Sequence, residues 1–102
     1  MILEINTVDV HPGSEIAFEA AFARCLPLLL RVAGCRGAEL LRSIERPDRY
    51  IVQVTWESLA DHIEGYPSTP EAAEVRGLLR PLIAHAEPMH FEVVPRRGVT
   101  PP

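Results

Sequence analysis

The stretch "YIVQVTWESLADHIEGY", Tyr50 to Tyr66, holds the chain's only tryptophan, Trp56, six residues before His62, where an extended pattern gives way to a helical one. An imidazole exchanges protons near neutral pH, and an indole joins a large apolar face to one N–H donor. Side by side they would suit a site that binds a flat ligand and moves a proton. The same two residues also fit a core anchor at a strand-to-helix corner and a solvated helix histidine, and spacing leaves both readings open. His90 and Glu92 lie two apart in the final apolar run, so they share a strand face. They can form an acid–base pair across from Gln53 or Asn6, or a merely structural hydrogen bond. The remaining histidines, His11 and His85, read as surface residues beside turns or helix ends. No His-x-His or His-Glu-x-x-His spacing occurs, so no metal site can be named. Cys25 and Cys35 lack a CxxC or histidine companion and read as two reduced, half-buried thiols.

These residues need a scaffold, and 102 of them are enough for one. A chain of that size buries roughly 65% of its unfolded surface and folds on a single core. One domain over residues 1–95 is expected, with a loosely held tail, "RRGVTPP", over 96–102. A net charge of -4 argues against nucleic acid and anionic membrane surfaces as partners. Apolar runs such as Cys25 to Leu30 fall far short of the roughly 20 residues a spanning helix needs. The opening "MILEIN" has no basic region followed by an apolar one, and a cytoplasmic protein is expected.

Periodicity supplies the elements. "ILEINTVDV", residues 2 to 10, reads as a strand ending at the turn "HPGS". Ser14 offers a helix N-cap, and Ile16, Phe18, Phe22, Cys25 and Leu29 draw an apolar stripe over residues 15–33. Pro27 inside that span predicts a kink or break near Ala23 to Leu26. Residues 37–45 and 49–56 read as a hairpin joined at "ERPD", and Ser58 can cap a short helix over 59–65. A second helix begins at a Ser68 or Thr69 cap with proline in its first turn. Its stripe runs through Val75, Leu78, Leu79, Leu82 and Ile83, and Pro88 ends it. "PMHFEVVP" is the last strand. The order strand, helix, two strands, helix, strand is the α+β, ferredoxin-like βαββαβ arrangement, a four-stranded antiparallel sheet with both helices on one face. The other face carries Ile, Val and Leu among polar groups and needs a cover, which a second copy of the chain would provide.

With these landmarks in place, the sequence resembles the antibiotic biosynthesis monooxygenase family of the dimeric α+β barrel superfamily. The residues that carry the likeness are "HPGSEIAFEAAFA", "GCRGAELLRSIERPDRYIVQVTWES" and "HFEVV". The resemblance implies a homodimer that oxidises a small phenolic, quinol or polyketide-like aromatic with dioxygen and uses no cofactor. It implies that Trp56 walls the pocket and that His62 takes or relays a proton, since it stands where anthrone-oxidising members carry a tyrosine. Arg76 matches an arginine of those members that would hold an anion, and Tyr66 and His90 join Asn6 and Trp56 as substrate contacts. Those members also carry an asparagine four residues before the tryptophan, where this chain has Val52. Heme-degrading relatives share an asparagine at the place of Asn6, but require an iron-binding histidine and a second tryptophan where Val75 and Gly65 stand. Two further readings use the same pocket: a non-catalytic dimeric binder of a small ligand, and an isomerase of a small lactone or keto compound.

Overall fold

The computed structural model describes residues 1–95 of the 102. The expected tail, 96–102, lies outside the described residues. The elements are β1 (Ile2–Val10), α1 (Glu15–Leu30), β2 (Cys35–Arg42), β3 (Arg49–Trp56), α2 (Pro70–Leu79) and β4 (Ile83–Phe91). They build one antiparallel sheet in the order β2-β3-β1-β4, which is the ferredoxin-like arrangement.

Register decides which side chains meet the helices. Asn6 stands opposite Val52 and Val8 opposite Tyr50 across the central pair, so the even-numbered residues of β1 and β3 share one face. Val8, Val10, Tyr50, Val52, Val54 and Trp56 are buried there against Phe18, Phe22, Cys25 and Leu29 of α1 and Val75 and Leu79 of α2. Tyr50 ties α1 to the sheet through its hydroxyl, which donates to Glu19 Oε2 at 2.6 Å. Cys25 is wholly buried, and burial pushes its thiol up to about 11, so it is an inert part of the core.

Several boundaries differ from expectation for identifiable reasons. Helix α1 runs unbroken through Pro27, and Ser14 makes no side-chain cap; Glu15 Oε1 accepts the Gly13 N–H instead, at 3.4 Å. Strand β3 has the expected bounds, whereas β2 ends at Arg42 rather than at residue 45, because Ser43 already closes the connection by donating its N–H to the Arg49 carbonyl. Helix α2 stops at Leu79. Pro81 cannot donate into the helical ladder, a short 3₁₀ turn follows at Arg80–Leu82, and Ile83 begins a strand where the apolar spacing predicts helix. Pro88 therefore does not end a helix. It sits inside β4, an edge strand, where a missing N–H is tolerated on the side without a neighbour.

The caps of the second half follow the sequence. Thr69 Oγ1 accepts the Ala72 N–H at 3.1 Å with Pro70 in the first turn of α2. Ser58 and Asp61 exchange hydrogen bonds, the Asp61 carboxylate accepting the Ser58 N–H at 3.1 Å. In place of a regular helix over 59–65, this cap opens a single π-helical turn, Asp61–Gly65, followed by a 3₁₀ turn at Tyr66–Ser68. Gly34, before β2, holds φ of 86° directly beneath Asp61, and a Cβ there would overlap that side chain. Gly34→Ala combines left-handed strain with a displaced cap, and is expected to destabilise the domain by about 1–3 kcal/mol in urea unfolding.

Candidate functional site

Between the sheet and the helices lies a cavity of about 310 Å³. Its floor is Glu4, Asn6, Val8, Val52 and Val54, and its roof includes Phe22 and Leu29 of α1 and Val75 and Leu79 of α2. Tyr66 closes one side, and Ile83 and Ala86 of β4 close another. The bulge at Asp9/Val10 shifts the β1–β4 register, so Ile83 and Ala86 both face inward. Exposed Arg76 and Arg80 complete the lining from the helix side. Among the described residues, neither arginine has a carboxylate within salt-bridge distance.

Inside this mostly apolar space one polar atom stands alone. The Asn6 Oδ1 is fully buried and has no hydrogen-bond partner among the described residues. A buried amide oxygen left unpaired costs about 1–3 kcal/mol, which a ligand hydroxyl or ordered water would recover. Asn6 is the direct cross-strand neighbour of Val52. The amide that the family resemblance places on β3 is absent at Val52, but an amide is present one strand away on the same face.

The residues expected to wall the pocket are arranged differently. Trp56 has no exposure and does not line the cavity; it is a core residue whose indole N–H donates to Glu4 Oε1 at 3.0 Å. His62, from the π-helical turn, stacks on Trp56 with ring centroids 5.1 Å apart and places Nε2 3.3 Å from the same Glu4 oxygen. His90 lies opposite Glu4 on β4, and its Nε2 is 2.7 Å from His62 Nδ1. Tyr66 packs against both Trp56 and His62, and burial, with the nearby Glu4 carboxylate, pushes its phenol up to about 12. The structure thus gathers Asn6, Tyr66 and Arg76 around the cavity, and Trp56, His62 and His90 behind one of its walls. Glu4 joins the two groups.

Glu4 is the residue that sequence reasoning missed. A carboxylate in "ILEINTVDV" reads as solvated, and both faces of that strand mix polar with apolar residues. One signal was available: a buried indole N–H requires an acceptor. The proposed partner of His90, Glu92, lies beyond the end of β4 and is exposed, and Gln53 belongs to the opposite sheet face. Among the described residues, no group of three His, Cys, Asp or Glu side chains could hold a metal ion. Both cysteines are free.

The architecture and the comparisons agree. The sequence model for "Antibiotic biosynthesis monooxygenase" matches residues 1–77. The chain belongs to the antibiotic biosynthesis monooxygenase family. It is 37% identical to a structure from Bordetella bronchiseptica assigned to antibiotic biosynthesis monooxygenases, with a TM-score of 0.88 over 91% of this chain and 96% of that one. SnoaB, a cofactor-independent oxygenase from Streptomyces nogalater, is 23% identical with a TM-score of 0.80 over 92% and 93% of the two chains, which shows a shared fold. The chain is also 29% identical over 94 residues to a mycobilin-producing heme oxygenase of Mycobacterium tuberculosis, covering 91% of this chain and 89% of that protein. Val75 lines the cavity where the likeness to heme-degrading members requires the iron-binding histidine, and an isopropyl group cannot ligate iron. No helix among the described residues is long and apolar enough to cross a membrane.

Burial holds His62 below its ordinary 6.5, against the pull of Glu4 and with help from His90. As pH falls, the unfolded chain therefore takes up this proton before the native one does. The resulting stability is complete above pH 6.5 and is lost as pH drops from 6.5 through the lower native midpoint. His62→Phe, which retains a ring against Trp56, is expected to flatten that part of a stability-versus-pH curve measured by thermal unfolding.

Proposed function

We propose that the protein is a cofactor-independent monooxygenase that oxidises a small phenolic, quinol or polyketide-like aromatic with dioxygen in the cavity beside Glu4. The observation that carries this reading is the cavity's composition: aliphatic and aromatic walls, one unpaired buried amide oxygen, and arginines on the helix side. Removing a proton from a hydroxylated aromatic leaves an electron-rich anion able to reduce dioxygen. One oxygen atom ends as a carbonyl on the ring. The other leaves as water, taking the proton lost from the substrate hydroxyl and the hydrogen lost by the oxidised carbon. Such chemistry asks three things of the protein: a dry aromatic-sized space, a proton acceptor, and a cation or hydrogen-bond donor near the developing oxyanion. Asn6 would bind the substrate hydroxyl, Arg76 would hold the anion, and Tyr66 would form the aromatic wall.

Oxygen uptake by purified protein on a panel of hydroquinones and anthrones tests the reaction directly. Uptake is expected without added flavin, metal or heme, and Arg76→Ala is expected to lower kcat/KM by about tenfold or more, the loss of one charge-assisted hydrogen bond. Binding seen as quenching of Trp56 fluorescence with no oxygen consumed would replace this reading with that of a binding protein.

A homodimer is part of the same proposal. The sheet face away from the helices carries Leu3, Ile5 and Ile51 at its centre, with Leu41, Met89 and Phe91 at 45%, 57% and 46% exposure toward its edges. A second copy seated there would remove this apolar surface from water, each square ångström contributing roughly 25 cal/mol. Light scattering should give twice the monomer mass at micromolar concentration, and Ile51→Lys should give the monomer.

A further inference from the structure

Glu4 differs from every other carboxylate of the chain in lying on the helix-facing side of a central strand, where its side chain is 13% exposed. Burying an unpaired carboxylate costs several kcal/mol, so its partners matter. Both donors converge on one oxygen. Trp56 Nε1–H reaches Oε1 at 3.0 Å, and His62 Nε2 lies 3.3 Å from the same atom. Among the described residues Oε2 has no hydrogen-bond partner, and Glu4 lines the cavity.

With His62 neutral, one arrangement satisfies both of its ring contacts. With Glu4 ionised, His62 donates its Nε2 proton to Oε1 and must accept at Nδ1, where His90 Nε2 lies 2.7 Å away and donates. His62 is then neutral, in keeping with the depression that burial imposes on it. The tautomer of one imidazole is set by the other, as carboxylates and carbonyls set ligand and catalytic histidines elsewhere.

We propose that Glu4 is the proton acceptor of the site, its Oε2 aimed at a substrate hydroxyl, and that His62 and His90 are positioning residues that hold its Oε1. This rests on the oxygenase reading above and moves the proton-accepting role from His62 to Glu4. In the step, the substrate O–H bond breaks as an Oε2–H bond forms, and the electron pair stays on the substrate oxygen. No electron passes to the protein. Dioxygen, the oxidant of the proposed reaction, then accepts electrons from the anion, and the Oε2 proton returns to the reduced oxygen that leaves as water. Glu4 is faced by His62 and Tyr66 from the turns after β3, by His90 from β4, by Cys35 from β2 and by Arg76 from α2.

Oxygen uptake, its pH profile and Trp56 fluorescence titration on the wild type, Glu4→Gln, His62→Phe and His90→Phe test the assignment. Glu4→Gln should lose about 10²–10⁴-fold in kcat, the usual contribution of a general base, while its fluorescence titration still reports substrate binding. His62→Phe and His90→Phe should each lower kcat by about 10-fold or more with KM unchanged. In His62→Phe the acid limb of the kcat/KM profile should move to higher pH, because the carboxylate has lost a donor. A purely structural role for the imidazoles would leave that limb in place. An active wild type with an equally active Glu4→Gln, or an unmoved acid limb in His62→Phe, overturns the assignment and leaves the oxygenase reading standing. A wild type that binds but consumes no oxygen overturns the oxygenase reading and the base role together.

Discussion

A carboxylate on the apolar side of a central strand is the constraint around which this site is organised. Glu4 needs donors there: two reach it directly and a third residue holds one of them, each from a different element. Trp56 comes from the end of β3, His62 from the π-helical turn that follows, and His90 from the neighbouring edge strand. Each depends on a different level of structure. Sheet register brings His90 opposite Glu4, the strand end brings the indole, and the wider i→i+5 winding of one π turn carries the His62 ring that stacks on Trp56. Trp56 is therefore a core residue and a hydrogen-bond donor at once, and its buried face and its polar edge serve different ends.

Cavity and carboxylate together make a compartment with distinct sides. Valines floor it, helix side chains roof it, arginines stand on one side and the Glu4 wall on another. The cross-strand pairing of Asn6 with Val52 is the most instructive detail. Read along the chain, valine at that place is a departure from the family's polar pattern. Across the sheet, the missing amide is found a strand's width away, close to the 5 Å that separates paired residues. Linear position is a poor guide to which side chains share a pocket. Residues on adjacent strands can exchange roles with little change in where the functional group sits.

The order of elements was legible because it is written in strong local signals. Alternation in "YIVQVTW", the proline and aspartate of the hairpin turn, and Thr69 followed by Pro70 each reflect a backbone requirement that few residue types meet. The start of β4 was not legible. In "LLRPLIAHA" the apolar spacing continues past Pro81, while the strand beginning at Ile83 is an exposed edge whose alternation lacks apolar contrast. Of the site, the tryptophan, histidine and arginine could be singled out by type, and Asn6 by its oddity among strand hydrophobes. Glu4 could not be separated from an ordinary surface acid. Nothing in one strand's sequence says which of two mixed faces will be buried, and that choice is made only when β1 pairs with both β3 and β4.

The position of β4 at the sheet edge has a consequence for how the molecule comes apart. β1 and β3 are hydrogen-bonded on both sides, whereas β4 is held by β1 alone and is solvent-exposed along nearly its whole length. Segments with one ladder and few buried contacts open at lower free energy than the core they flank. His90 rides on that strand near its end. Warming or mild denaturant will therefore detach His90 from His62 while α1 and the central pair are still intact. The contact between His62 and His90 is only as durable as one edge strand.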